Sequence, residues 1–173
     1  MIELEKTYLA KRLPPGLKKC KSMEIIDIYV PKSSVHPTLR IRKHGSKYFI
    51  TKKEPVEGKD ASHQMEQTIT LTKAEFDEFT KLEGKKAHKI RHYYDYNGRT
   101  AEFDVFQGSL KGLVLVDFEF ETVKERDSFK MPEFCLADVT KEVFVAGGML
   151  CGKSYEDIEM GLKRFNYKKI FLD

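Results

Sequence analysis

Residues 89–121 read KIRHYYDYNGRTAEFDVFQGSLKGLVLVDFEFE, in which two alternating runs meet at Asn97-Gly98 and a third follows a glycine-bounded turn. Asn-Gly between alternating runs is the strongest local signal for a β-hairpin, because a two-residue type I′ turn needs positive φ at both central positions. The register that follows from such a turn places Arg91 opposite Asp104. We therefore predict a hairpin followed by a third antiparallel strand.

Each of these three runs separates apolar from charged side chains, since successive residues of a strand point to opposite faces. One face carries Ile90, Phe103, Val105 and the apolar residues of the third run. The other face is charged, and it carries, run by run, Lys89 and Arg91, then Glu102 and Asp104, then Asp117, Glu119 and Glu121.

A charged face on an antiparallel sheet commonly lies in solvent, so a small all-β domain with solvated charges is the simplest interpretation. The charges here are sorted by sign, however, with one basic strand followed by two acidic ones. A merely solvated face more often mixes Thr, Ser, Gln and Lys. The sorting favours a sheet that curls with its charged face inward, around an anion and its metal ions.

Composition limits the classes of protein that this chain can represent. Its 173 residues suit a single domain, 1–173, with a substantial core. The net charge of +4 is too mild an excess to indicate binding to duplex nucleic acid. The odd number of cysteines, Cys20, Cys135 and Cys151, without C-x-x-C spacing indicates reduced thiols. No apolar run is long enough to span a bilayer and the first residues are acidic, so we expect a cytoplasmic protein with no membrane contact.

Two other alternating runs carry paired charges two residues apart. Glu3 and Glu5 would lie about 7 Å apart on one face of a strand, which suits joint coordination of a metal ion. Arg40 and Arg42 would form a fork that grips phosphate oxygens, although a basic edge strand is the plainer alternative. A further strand is predicted over residues 64–71, with Glu66 on its polar side.

Helices are predicted to be few. Capping boxes begin at Thr72 and Ser154, where a hydroxyl residue is followed three positions later by a carboxylate. Residues 54–62 hold Pro, Gly and charges without periodicity and predict a loop. The predicted helices cover residues 17–22, 72–84, 121–129, 140–148 and 154–165.

An inward-facing set of twelve charged residues follows from this pattern. It contains five cations and seven carboxylates, a net charge of −2 that cannot by itself attract a polyphosphate. Two divalent ions would change the sum to +2, and oxygen ligands favour Mg²⁺ or Mn²⁺. The set consists of Glu3, Glu5, Arg40, Arg42, Lys53, Glu66, Lys89, Arg91, Glu102, Asp104, Asp117 and Glu119.

Other sources of chemistry are weaker. His88 and His92 have the spacing of a helical zinc site, but on a strand the two rings would be too far apart to share one ion. The sequence contains no G-x-x-x-x-G-K-[ST] loop and no nucleophile elbow. Any chemistry is therefore expected on the strands.

The motifs, in this order, resemble the CYTH superfamily, also called triphosphate tunnel metalloenzymes, from Glu3 to about Gly152. No single motif is specific, but the whole set in this order is. The resemblance rests on Glu3-Leu4-Glu5, Leu39-Arg40-Ile41-Arg42, Thr51-Lys52-Lys53, Lys89-Ile90-Arg91, the run from Glu102 to Gly108, Asp117-Phe118-Glu119 and Val139-Thr140.

The resemblance implies a mainly β (α+β) fold, a closed eight-stranded antiparallel β-barrel with a charged interior and a few helices outside. It also implies Mg²⁺- or Mn²⁺-dependent chemistry on triphosphates. The residues expected to bind phosphate are Arg40, Arg42, Lys53, Lys89 and Arg91. Those expected to bind metal are Glu3, Glu5, Asp117 and Glu119, and those expected to support the metals or orient water are Glu66, Glu102 and Asp104.

The chain departs from the family pattern at three places. Thr7 stands where the family has a lysine, and Lys6 is one residue early, so it should face outward. Gln64 stands where many members have a carboxylate, and Asp117 is shorter than the usual Glu. Metal binding should be intact, whereas rate and substrate choice are open.

The leading hypothesis is a metal-dependent triphosphatase acting on tripolyphosphate, ATP or thiamine triphosphate. A class IV-type adenylate cyclase that converts ATP to cyclic AMP is the second hypothesis. A polyphosphate- or nucleotide-binding protein without turnover is the third, and Thr7 motivates it. In each case we expect a monomer or homodimer.

Overall fold

The computed structural model describes residues 2–55 and 63–172, except for the side chains of residues 2, 3, 55, 63 and 64. Within these ranges the chain forms nine strands and four short α-helices. The strands are β1 (Ile2–Ala10), β2 (Ser22–Val30), β3 (Leu39–His44), β4 (Lys47–Pro55), β5 (His63–Leu71), β6 (Lys85–Tyr96), β7 (Arg99–Phe106), β8 (Val114–Phe120) and β9 (Cys135–Asp138). The helices are α1 (Lys73–Phe79), α2 (Val123–Ser128), α3 (Gly147–Leu150) and α4 (Tyr155–Lys163).

The strands form one antiparallel sheet in the order β5-β4-β3-β2-β6-β7-β8-β1-β9. The first residues of β1 also pair with β5, where Ile2 to Leu4 lie opposite Met65 to His63. This pairing joins the two ends of the eight-strand row, while the far end of β1 turns to pair with β9. The predicted mainly β architecture, with a few helices, is confirmed.

The hairpin at Asn97-Gly98 has the predicted geometry. Both residues have positive φ, 54° and 79°, as a type I′ turn requires. Tyr96 pairs with Arg99, and the register carries Arg91 opposite Asp104. The turn therefore determines which side chains of β6 and β7 share a face.

The hydrophobic core lies outside the ring of strands. Phe103 and Phe118 are fully buried on the outer face of β7 and β8, and they pack with Tyr8, Phe129 and Phe134. The inner face carries the charges, which is the inverse of an ordinary sheet domain. We call the space enclosed by β1–β8 the tunnel.

One end of the tunnel is filled by apolar side chains. Leu9 and Leu115 lie opposite each other on β1 and β8, and both are buried. They belong to a cluster with Phe106 that also includes Leu150 of α3 and Ile158 of α4. The two C-terminal helices therefore cover this end.

Several predicted elements have different bounds. Helix α1 ends at Phe79, before Gly84, and Leu82 is 48% exposed beyond it. Glu54 and Pro55 continue strand β4, and the rest of the predicted loop, 56–62, lies outside the described residues. Helix α2 is confirmed at Val123–Ser128, and α4 starts at the predicted Ser154 capping box.

The prediction of a helix ending at Gly147-Gly148 is wrong, because these glycines begin α3. A Cβ on Gly147 would lie 2.4 Å from the Tyr29 hydroxyl, and one on Gly148 would lie 2.5 Å from the Pro37 carbonyl oxygen. The glycines thus permit close packing against another part of the fold. Separately, no helix in residues 2–55 and 63–172 is both long and apolar enough to cross a membrane.

Candidate active site in the charged interior

Strand register places the described members of the predicted charged set on the inner face, because directly opposed residues of paired strands share a face. The inner face can be followed from strand to strand around the ring by its opposed pairs. These are Lys53–Glu66, Asp27–Arg42, Arg91–Asp104, Glu102–Asp117 and Glu5–Glu119. The backbone of Glu3 pairs with that of Gln64, and both side chains lie outside the described part of the chain.

Asp104 is the most enclosed of the predicted catalytic carboxylates. Arg91 donates to it through Nε at 2.6 Å and Nη2 at 2.7 Å, and Lys89 Nζ forms an ion pair with the same carboxylate. Burial alone would raise the pKa of Asp104, but Arg91 and Lys89 hold it well below its usual range. Asp104 is therefore an ionised anchor for two cations, with no exposed surface of its own.

Arg91 connects this anchor to the acidic wall. Its Nη1 donates to Glu102 Oε2, and its Nη2 lies 3.2 Å from Asp117 Oδ2. Three carboxylates on β7 and β8 thus share one guanidinium. Burial lowers the pKa of an isolated cation, but the carboxylates raise the pKa of Arg91 well above its ordinary value.

Asp27 on β2 is an inner-face residue that sequence reasoning missed. Its carboxylate accepts from Arg42 Nε at 2.6 Å and from Nη2 at 2.8 Å, and the residue is only 4% exposed. Despite burial, the Arg42 guanidinium lowers the pKa of Asp27 to about 2. The available signal was a single carboxylate inside the apolar run from Ile25 to Val30.

Arg40 carries a buried donor that is not satisfied within the described part of the chain. Its Nε atom is buried and has no hydrogen-bond partner among the described residues. An unsatisfied donor on a buried charged group is costly, so such groups normally have a partner. Lys53 lies on the neighbouring strand, with Nζ 3.7 Å from Glu66 and 3.9 Å from Glu5. A bound phosphate would supply an acceptor for Arg40 Nε.

The opposite wall is a cluster of carboxylates. Glu5 lies opposite Glu119, and Glu102 lies opposite Asp117, although like charges directly opposed across strands are destabilising. Burial and the neighbouring carboxylates raise the pKa of Glu102 to about 7, despite Arg91. Burial and Asp104 likewise raise the pKa of Asp117. Oxygen donors crowded in this way fit a divalent cation, whose charge would relieve their repulsion.

The carboxylates are not gathered around a single point in this conformation. Across residues 2–55 and 63–172, no three His, Cys, Asp or Glu side chains are close enough together to hold an ion as they stand. Arg91 draws Glu102 and Asp117 toward itself. Coordination by Asp117 would therefore require its side chain to turn from Arg91 toward the ion.

Thr7 faces this cluster from β1. Its hydroxyl donates to Asp117 Oδ1 at 2.7 Å, and its backbone N–H donates to Thr140 Oγ1 at 3.1 Å. The predicted helix cap at Thr140 is thus wrong, because this hydroxyl serves β1. Lys6 points outward as predicted, with Nζ 3.5 Å from the Phe129 carbonyl oxygen.

Histidines contribute to the interior in an unexpected place. His44 on β3 and Tyr93 on β6 meet over the intervening strand β2, with Nε2 and the hydroxyl 2.7 Å apart. Burial and the charges of Arg42 and Arg91 lower the pKa of His44. His88 instead lies 3.1 Å from Glu24 and, like His92, alternates with the inward residues of β6. The rejection of a His88–His92 metal site is consistent with this placement.

The acidic wall is accessible from one side. A cavity of about 560 Å³ opens beside the β6–β7 turn. It is lined by Asn97, Gly98, Arg99, Thr100, Glu102, Glu119, Phe120, Glu121 and Glu125. Because Glu102 and Glu119 belong to both the cavity and the acidic wall, an ion or ligand can reach the wall from solvent.

Comparisons with known proteins agree with this geometry. The sequence model of the CYTH domain matches residues 6–141. The inorganic triphosphatase of Nitrosomonas europaea is 29% identical over 143 residues, which cover 82% of this chain and 91% of the relative.

Two solved structures share the fold. The crystal structure of an inorganic triphosphatase matches with a TM-score of 0.63 and 23% identity, over 87% of this chain and 95% of that one. A Bacillus halodurans protein proposed to be an adenylate cyclase matches with a TM-score of 0.53 and 14% identity, over 99% and 93%. At these identities the likeness concerns the fold alone.

Proposed function

Since the chain belongs to the CYTH domain family, we propose that it hydrolyses a triphosphate with the help of divalent metal ions. One observation carries the proposal: basic side chains of β3, β4 and β6 face a carboxylate cluster of β1, β7 and β8 within one enclosed space. A triphosphate needs both walls, one for its oxygens and one for its counter-ions. The 29% identical relative that is named an inorganic triphosphatase supports tripolyphosphate as the first substrate to test.

The basic wall would bind the phosphate chain. Arg40 offers the unpartnered Nε, and Arg42 retains Nη1 beyond its two bonds to Asp27. Guanidinium groups suit phosphate because several N–H donors lie in one plane. The proposed phosphate-binding residues are Arg40, Arg42, Lys53, Lys89 and Arg91.

The acidic wall would hold Mg²⁺ or Mn²⁺. Glu5, Asp117 and Glu119 are the proposed ligands from the described side chains, and Glu3 joins them as a prediction from sequence. When bound, such ions neutralise charge on the phosphate oxygens and lower the pKa of bound water. The pKa of Glu102, which burial and the neighbouring carboxylates raise to about 7, supports a role for added positive charge at this wall.

The three carboxylates predicted to be catalytic have different environments. Glu102, with a pKa of about 7, is suited to accept a proton from the attacking water near neutral pH. Asp104 would position Lys89 and Arg91 instead of contacting water. Glu66 accepts from the Thr68 hydroxyl at 2.8 Å and would hold Lys53 in place.

Phosphate release tests this function. Tripolyphosphate, ATP and thiamine triphosphate are each incubated with Mg²⁺, Mn²⁺ or a chelator, and orthophosphate and cyclic AMP are measured. Metal-dependent release of phosphate from one of them would establish the triphosphatase and identify its substrate. Cyclic AMP from ATP would instead establish cyclisation. The absence of any product would favour the third hypothesis, binding without turnover.

The remaining features of the proposal concern the whole chain. We place residues 1–173 in one domain of a cytoplasmic monomer or homodimer, whose partner is a small triphosphate and not duplex nucleic acid or a membrane. Size-exclusion chromatography with light scattering measures the oligomeric state directly.

A further inference from the structure

Strand β2 contributes a buried negative charge to the basic wall of the tunnel. Asp27 lies directly opposite Arg42, and two of the three guanidinium nitrogens bond to its carboxylate. The side chains of the pair are 6% and 14% exposed. The Asp27 carboxylate is also within reach of the positive charges of Arg40 and Lys89.

This arrangement is surprising in a wall that binds phosphate. A carboxylate among phosphate-binding cations repels the ligand and occupies donors that the ligand needs. A buried ion pair is also weak as a source of stability, since desolvation offsets much of its attraction. Packing alone therefore gives little reason for an aspartate at this position.

The geometry suggests what the carboxylate does for Arg42. Two parallel N–H···O bonds fix both the position and the plane of the guanidinium. Nε and Nη2 face Asp27, which leaves Nη1 for a ligand. Asp104 holds Arg91 through the same pair of nitrogens on the adjacent strand pair, β6 and β7. Two tunnel arginines are thus each oriented by a buried aspartate.

We propose that Asp27 is a positioning residue that fixes Arg42 for catalysis and, as a permanent negative charge, limits the affinity of the tunnel for phosphate so that products leave. The part that concerns products rests on the proposed function. The part that concerns affinity does not, because it applies to any phosphate anion in the tunnel.

Removing the charge while keeping the shape gives an unusual expectation. In Asp27→Asn, Arg42 keeps a neighbour that accepts one hydrogen bond but loses the opposing charge. Electrostatic interactions over a few ångströms in a partly buried site are strong enough to change affinity about tenfold. We expect tighter binding of phosphate anions, together with lower kcat because Arg42 is less well oriented.

Glu24 provides a matched control on the same strand. It lies on the outer face of β2, three residues before Asp27, and pairs with Lys43 at 3.0 Å. Glu24→Gln removes the same charge from the same pair of strands without touching the tunnel. We expect its affinity for phosphate anions and its kcat to remain within twofold of the wild type.

Isothermal titration calorimetry with tripolyphosphate and with diphosphate, in chelator so that no turnover occurs, measures the affinity. Steady-state kinetics with metal measures kcat and KM. A tenfold lower Kd for both anions in Asp27→Asn, with reduced kcat, is the expected result. A merely structural role predicts weaker binding, and unchanged or weaker binding in a folded Asp27→Asn protein would overturn the proposal.

Asp27→Glu keeps the proposal testable if Asp27→Asn fails to fold. It retains the charge and moves it by one methylene, so we expect near-wild-type Kd with reduced kcat. A tenfold tighter Kd, or unchanged kcat, would contradict the assignment. If the wild type binds both anions but releases no phosphate from any triphosphate, the proposed function fails while the calorimetric comparison still decides the affinity role of Asp27.

Discussion

The hydroxyl of Thr7 on β1 donates a 2.7 Å hydrogen bond to Asp117 Oδ1 on β8, directly across the strand pair. Both residues are departures from the family pattern seen in the sequence, a threonine in place of lysine and an aspartate in place of glutamate. The structure shows that the two departures touch. The short side chains of Thr7 and Asp117 thus contact each other at two positions where the family pattern has the longer side chains of lysine and glutamate.

Thr7→Val is expected to weaken metal binding about tenfold. The hydroxyl favours the ionised form of Asp117, whose pKa burial and Asp104 raise, and a metal ion requires that form. A hydrogen bond to a charged group contributes about 1.5–3 kcal/mol, which corresponds to roughly tenfold or more in affinity. Calorimetric titration with Mn²⁺ measures the change in metal affinity. Thr7→Ser keeps the hydroxyl and serves as the control, and equal affinities for the Val and Ser variants would exclude this role.

Glu119→Ala is expected to abolish metal-dependent turnover without unfolding the protein. Glu119 is exposed at the cavity and lies opposite Glu5, so its loss removes a proposed metal ligand but no core contact. Activity and thermal denaturation in chelator measure the two effects. Glu121→Gln, one strand period further out on the same face, should remain active. Retained activity in Glu119→Ala would remove this residue from the site.

Much of the inner face could be predicted from sequence because two local rules determine it. Asn97-Gly98 fixes the hairpin register, and the alternation of strands then assigns each charge to a face. The sorting of charges by strand indicated which face was enclosed. Closure of the ring by β1 and β5 came from the family resemblance, since no local rule links residues 2–4 with 63–65.

The side-chain hydrogen bonds and ion pairs inside the tunnel could not be predicted, because they depend on how far side chains reach across a curved sheet. Asp104 was expected to support the metals or orient water, and the sequence did not indicate that its carboxylate bonds to both Lys89 and Arg91. Asp27 was missed because the adjacent inner-face position, Ile25, is apolar, so this strand lacks the paired charges that marked the other strands. The start of α3 was missed because its glycines are explained by contacts with distant residues, not by local conformation.

Glu102→Gln is expected to stabilise the metal-free protein at pH 8 and to have little effect at pH 5. Burial and three neighbouring carboxylates raise the pKa of Glu102 to about 7, whereas an unfolded chain loses this proton near pH 4.5. The stabilisation from the protonated form is therefore complete below about pH 4.5, falls as pH rises, and is gone above about pH 7. This loss of stabilisation between low and high pH amounts to about 3 kcal/mol in the free energy of unfolding. Urea denaturation in chelator at both pH values measures it.

Glu66→Gln provides the control of opposite sign for this measurement. Burial raises the pKa of Glu66, but the Thr68 hydroxyl and Lys53 outweigh burial and lower it. The ionised form of Glu66 therefore stabilises the fold, and Glu66→Gln should destabilise the protein at pH 8. The same direction of change in both variants at pH 8 would show that their effects do not arise from ionisation.

Arg40→Gln is expected to weaken metal-free binding of tripolyphosphate about tenfold while leaving the folding stability unchanged or slightly higher. Arg40 Nε has no acceptor among the described residues, so the substitution removes a buried donor that costs free energy until an anion binds. The lost charge-assisted bonds to phosphate account for the weaker binding. Calorimetry gives the affinity and thermal denaturation gives the stability.

Lys43→Gln removes a cation from the outer face of the same strand and should change affinity less than twofold. A large loss of stability with unchanged affinity in Arg40→Gln would identify Arg40 as a structural residue and move the phosphate site elsewhere in the tunnel.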